Sequence, residues 1–98
     1  MNKVQLLLHK LAEECCEVAQ AASKASQFGL DGIIPGTATT NRERVNNELN
    51  DLIAIIEMLN SDCGLEYSYQ SGDIALKKLK VEKYAIISEG LGFVEWSN

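Results

Sequence analysis

At 98 residues the chain has room for one domain, 1–98, and a domain this short buries only a modest share of its surface. A hydrophobic content of 46% is high for helices that must each keep a wet face, so oligomerisation is expected, while a net charge of −5 without a long basic run argues against a nucleic-acid partner. No run of about 18 apolar residues and no basic-then-apolar leader occurs, so neither a membrane span nor a signal peptide is expected; the odd set Cys15, Cys16 and Cys63, with no CxxC pair, points to reduced thiols and a cytoplasmic location.

Asn2 and Gln5 form a capping box, and a helical pattern runs from there to about Phe28, with Gly29 placed to close it in a left-handed conformation. Val4, Leu7, Leu8, Leu11, Cys15, Val18, Ala19 and Ala22 recur at i, i+3, i+4 and i+7 as one apolar stripe. Glu13, Glu14 and Glu17 cover a neighbouring arc roughly 100° wide, Glu14 nearest the stripe. His9 falls just behind that arc, and Cys15 and Cys16 read as small helix residues.

The stretch from Gly29 to Thr39, with three glycines and the only proline, has no sustained period and reads as a loop, either a lid over a ligand or a slack connection. Its glycines do not form a phosphate-binding loop, because they follow a helix and lack the GK[ST] ending. Thr40 and Glu43 form a second capping box, and the helix that follows runs to about Asp62, with Gly64 placed to end it. Val45, Leu49, Leu52, Ile53, Ile56 and Leu59 mark its buried face. Glu48 sits about 60° from the centre of that face, and Asp51 about 60° further.

Leu65 to Gln70 alternates like a short strand but has no partner strand, so it reads as a connection. Ser71 or Asp73 caps a third helix of about eighteen residues ending near Gly90. Its apolar positions are interleaved with Lys77, Lys78, Lys80 and Lys83, the one basic patch; a solvated face is the plain reading of these lysines. Phe93, Val94 and Trp96 follow on a tail that is expected to dock on this or a neighbouring subunit. The fold class is therefore all-α, a bundle of about three main helices completed by oligomerisation.

The two acidic clusters sit in helices that are otherwise apolar on that side, where an unpaired charge is costly. Neither Glu13 nor Glu17 has a Lys or Arg four residues on, so local ion pairs do not account for them. If the first two helices pack antiparallel, the five carboxylates converge and need a polyvalent cation between them. Mg²⁺, with Mn²⁺ as a substitute, suits such an all-oxygen set, because no His or Cys stands at ligand spacing. A di-iron carboxylate bundle requires Glu-x-x-His pairs, which are missing.

Glu13-Glu14-x-x-Glu17 followed by Glu48-x-x-Asp51 resembles the signature of the MazG-like all-α nucleoside triphosphate pyrophosphohydrolases. Ser23-Lys24, the apolar run Leu52 to Leu59 and the Lys-rich third helix extend the resemblance over most of the chain. The interval between the clusters is longer than is usual in that family, which implies an enlarged loop. The resemblance implies a Mg²⁺-dependent enzyme that hydrolyses an NTP or dNTP to the monophosphate and pyrophosphate. It implies Glu14, Glu17, Glu48 and Asp51 as metal ligands and Glu13 as the group that polarises the water or as a further ligand. Lys80 and Lys83 are the implied phosphate contacts, and a homodimer or homotetramer the implied assembly.

Relatives acting on phosphoribosyl-ATP often carry a His shortly after the second motif, where this chain has Leu52-Ile53-Ala54-Ile55, so nucleotide house-cleaning or pool control is the expected role. The rival readings are a non-enzymatic helical interaction module and a metal-binding regulator that senses nucleotide without cutting it.

Overall fold

The computed structural model describes residues 1–97 and is all-helical, with three helices in order: α1 (Lys3–Phe28), α2 (Asn41–Cys63) and α3 (Ser71–Gly90). Each end follows from local chemistry. The Asn2 side chain accepts the Gln5 N–H at 2.8 Å and the Gln5 side chain accepts the Asn2 N–H at 3.0 Å, completing the expected capping box. At the far end Gly29 has φ 85° and ψ 154°, a conformation open to glycine but not the left-handed helical cap expected of it. α2 does end on such a cap, at Gly64 (φ 67°, ψ 34°).

Thr40 caps α2 by accepting the Glu43 N–H at 3.1 Å, but the reciprocal half of the box is absent. The Glu43 carboxylate accepts the Thr40 hydroxyl instead. α3 corrects the expectation at its start: the N-cap is Gln70, which makes no side-chain cap bond, so Ser71 is the first helical residue and Asp73 an acidic group in the first turn.

The chain forms two compact units, Met1–Tyr67 and the segment from Ser68 onward. In the first, α1 and α2 make an antiparallel hairpin: Lys3 pairs with Asp62 at 3.0 Å at one end, and Asn41 bonds Gly29 at the other. A helix with one neighbour buries a narrow seam, repeating about every 3.5 residues, rather than a wide face. On α1 that seam is Leu7, Leu11, Glu14, Val18, Ala21 and Ala25, and on α2 Val45, Glu48, Leu52, Ile55 and Leu59, with Ile56 half-buried beside it as expected. Leu59 and Ala21 are each 1% exposed.

Both apolar faces are therefore rotated from the ones the pattern predicts. Val4, Leu8, Cys15, Ala19 and Ala22 of α1 and Leu49 and Ile53 of α2 remain exposed. The rotation carries Glu14 and Glu48 from the margin into the seam.

The loop between the helices is laced rather than slack. Ile34-Pro35-Gly36-Thr37 is a tight turn closed by Thr37 N–H to the Ile34 carbonyl at 3.0 Å, with Pro35 and a positive-φ Gly36 in the positions a type II turn demands. Ile33 and Thr40 pair as an isolated antiparallel bridge, and Arg42 forms an ion pair with Asp31. Asn41, 4% exposed, fastens the loop to α2: its side-chain amide donates to the Gly29 carbonyl at 3.0 Å and its backbone N–H to the Gly32 carbonyl at 2.9 Å.

Leu65 to Gln70 is a connection, as expected, and the Asn60 amide clamps it through two 2.9 Å bonds to the Tyr67 backbone. In the second unit α3 carries no buried residue. The tail returns to it through Glu89, whose carboxylate accepts the Trp96 and Ser97 N–H groups and the Ser97 hydroxyl at 2.7–2.9 Å. Phe93 is 81% exposed and so is not docked within the unit. Among the described residues, no helix is long and apolar enough to cross a membrane.

Candidate metal centre

Three carboxylates meet at the middle of the hairpin. Glu14 from α1 and Glu48 and Asp51 from α2 each offer an oxygen, all within 4.8 Å of one another, Glu14 and Glu48 half-buried and Asp51 exposed at the rim. The hairpin register accounts for the meeting: Glu14 lies about half-way along α1, and antiparallel packing brings it level with the second motif, whose i, i+3 spacing puts Glu48 and Asp51 on adjacent turns of one side.

Electrostatics identify Glu14 as the centre of the group. Its carboxyl is held above the ordinary 4.5, first by loss of solvent and then by the charges of Asp51, Glu48, Glu17 and Glu13. Glu17 is exposed one turn beyond Glu14, close enough to act on it and outside the set of three.

Glu13 lies on the same helix but is held elsewhere. Lys10 binds its carboxylate at 3.0 Å and His9 at 3.2 Å, and these contacts, Lys10 foremost, lower its pKa. The partners of Glu13 lie three and four residues N-terminal to it, not four residues C-terminal, and His9 gains a contact role there.

Lys80 and Lys83 are both exposed on α3, in the second unit, with Lys83 standing 5.9 Å from the Tyr84 ring centroid. Two other cations stand nearer the carboxylates in sequence. Arg44 is half-buried on α2, one turn before Glu48, and takes part in no ion pair among the described residues. Lys24 stands two turns beyond Glu17 on α1. The signal for Arg44 was its i, i+4 spacing to a seam glutamate.

The donor set fits a hard divalent cation: three carboxylates from two helices, with no thiol or imidazole among them. Cys15 and Cys16 are exposed on α1 and Cys63 is half-buried on α2, and all three thiols are free. The chain matches no protein-family model, no curated protein and no solved structure.

Proposed function

We propose that the chain is a Mg²⁺-dependent nucleoside triphosphate pyrophosphohydrolase of MazG-like type, acting in the cytoplasm and converting an NTP or dNTP to the monophosphate and pyrophosphate. The observation that carries this reading is the convergence of Glu14, Glu48 and Asp51 within 4.8 Å across the hairpin seam. A carboxylate cluster costs stability wherever nothing neutralises it, and here two of its members occupy positions that the packing reserves for apolar side chains.

Glu14, Glu48 and Asp51 would hold the metal, with Mn²⁺ as an alternative to Mg²⁺. When bound, the divalent ion supplies positive charge to the phosphate oxygens and acidity to a water molecule. In the reaction, water adds to phosphorus, the P–O bond bridging the α and β phosphates breaks, and pyrophosphate leaves with the electron pair. Asp51, exposed at the rim, would be the member of the set most open to an arriving phosphate. Glu17, exposed beside Glu14 and in no ion pair among the described residues, is the acceptor for the water's proton. Glu13 reaches that water only by leaving Lys10 and His9.

The test is pyrophosphate release from a panel of canonical, deoxy and modified triphosphates, with Mg²⁺ and with EDTA. Metal-dependent release of pyrophosphate and monophosphate supports the reading. Binding without turnover favours a nucleotide sensor, and neither binding nor turnover favours a helical interaction module.

A further inference from the structure

Three of the five Lys and Arg side chains of α1 and α2 are committed: Lys3 to Asp62, Lys10 to Glu13 and Arg42 to Asp31. Lys24 and Arg44 take part in no ion pair among the described residues, and the two are placed differently. Lys24 is exposed, about 15 Å along α1 from Glu14. Arg44 is half-buried, about 6 Å along α2 from Glu48.

Arg44, Glu48 and Asp51 stand at i, i+4 and i+7, within an arc of about 60° on α2, so one row of the helix carries the cation and two of the three clustered carboxylates. Unlike Lys80 and Lys83, which belong to the other unit, Arg44 has its place beside the carboxylates set by the helix itself. It does not close the ion pair with Glu48 that this spacing offers, and a cation on the N-terminal side is the weaker order of such a pair. A long cationic side chain at the edge of a seam lays its stem along apolar surface and keeps its head in water, which leaves the guanidinium donors open to an anion from outside.

The charge at the site calls for such a group. One divalent ion leaves the three carboxylates with a net charge of about −1, and a triphosphate adds several negative charges more. Cleavage between the α and β phosphates then moves further negative charge onto the departing pyrophosphate. A guanidinium suits this position, because it stays charged at any working pH and its planar fork takes two phosphate oxygens at once. We infer that Arg44 is a phosphate contact of this site, binding the polyphosphate chain and stabilising pyrophosphate as it leaves; the inference rests on the hydrolase reading above.

Arg44→Met keeps the length of the stem and removes the charge, and Arg44→Lys keeps the charge and removes the fork. Melting with and without Mg²⁺ checks that fold and metal binding survive, and Arg44→Gln replaces the Met variant if that one does not fold. In Arg44→Met, kcat is expected to fall about a hundredfold, and the Ki of pyrophosphate as a product inhibitor to rise about tenfold to a hundredfold. The Ki of the nucleoside monophosphate is expected to stay within about twofold, and Arg44→Lys to restore part of both losses. A pyrophosphate Ki equal to that of wild type overturns the assignment and leaves the hydrolase standing. Arg44 is then a packing residue if the melting temperature has dropped, or a counter-charge to Glu48 if Mg²⁺ binds more tightly. If the wild type turns over no triphosphate, the hydrolase reading falls, and calorimetry with Mg²⁺ and pyrophosphate decides Arg44 separately. Binding weakened in Arg44→Met keeps the contact, and equal or absent binding removes it.

Discussion

Glu14 of α1 and Glu48 of α2 meet in the seam of the hairpin, each at a position where the repeat of buried residues calls for an apolar side chain, and each within 4.8 Å of Asp51 through a carboxylate oxygen. Glu48→Gln keeps the volume and hydrogen-bonding reach of the side chain while removing its charge. It is expected to lower turnover by well over tenfold, equivalent to a barrier increase above ~1.4 kcal/mol, without loss of helix content. Pyrophosphate release within about threefold of wild type, with the circular dichroism unchanged, counts against the metal assignment.

Loss of solvent at Glu14, together with the like charges around it, has a pH signature. Its folded-state pKa lies above the ordinary 4.5, so the folded protein holds this proton more tightly than the unfolded chain does. The stabilisation from this group is full below about pH 4.5 and is lost as pH rises through the raised folded value. In EDTA, the melting temperature of wild type is therefore expected to fall relative to Glu14→Gln between pH 4.5 and neutrality. Mg²⁺ at about 100 times its Kd is expected to return ~2.7 kcal/mol to wild type and much less to the variant. Parallel pH profiles, or melting insensitive to Mg²⁺, would remove the electrostatic argument.

The helices and their caps were legible because their causes are local. Asn2 with Gln5, Thr40 with Glu43, and Gly64 each act within one turn of the end they set. The buried face was not legible to the same degree. Periodicity showed a wide apolar arc on each helix, and only the pairing of α1 with α2 decides which row becomes the seam, so Leu49 and Cys15 went to solvent while Glu14 and Glu48 went in. Convergence of the two acidic motifs followed from antiparallel packing and could be anticipated, but the engagement of Glu13 by Lys10 and His9 depends on side-chain rotamers that spacing alone does not choose. The loop was the least legible element, because its order comes from contacts between residues far apart in the pattern, the buried Asn41 amide on Gly29 and the Arg42–Asp31 ion pair among them.

Gly32 is the position where that order is most easily broken. A Cβ would meet the Phe28 carbonyl oxygen at 2.5 Å and the Asn41 Nδ2 at 3.0 Å, and the first of these is backbone at the end of α1, which cannot swing aside. Gly32→Ala is expected to cost ~1–3 kcal/mol and to loosen the turn from Gly29 to Thr40. Urea unfolding checks this: the midpoint should fall with little change in m. A midpoint equal to that of wild type would mean the loop shifts freely and is not pinned by Asn41.

Glu89 and Trp96 give a reporter for the tail. The Glu89 carboxylate accepts three hydrogen bonds, and these, the Ser97 hydroxyl foremost, lower its pKa below the ordinary 4.5. The contact is therefore present above about pH 4.5 and lost as pH falls through the depressed folded value. Trp96 is the one tryptophan of the chain, so its emission should shift on acidification with a midpoint below 4.5. In Glu89→Gln the emission should be independent of pH over that range, and an unchanged transition in the variant would assign it to another group.

Assembly is the remaining expectation, and the exposed apolar surface makes it specific. α3 buries none of its residues, while Leu76, Leu79, Tyr84 and Ile86 are each more than half exposed, and on the hairpin the rows carrying Leu8 and Ile53 lie open beside the seam. Isolated apolar side chains at a surface are ordinary, and rows repeated along three helices are the surface that association would cover. Association by a two-fold axis, the same row on each copy meeting its counterpart, covers such rows with the fewest new contacts, and a pair of dimers covers more. Sedimentation at micromolar concentration is expected to give two or four times 10.8 kDa. Leu76→Glu with Leu79→Glu should shift that distribution toward the monomer, because two charges placed on an apolar interface must be desolvated to re-form it. A wild-type monomer near 10.8 kDa with full activity would show instead that the exposed rows serve no assembly and that the site needs no second copy.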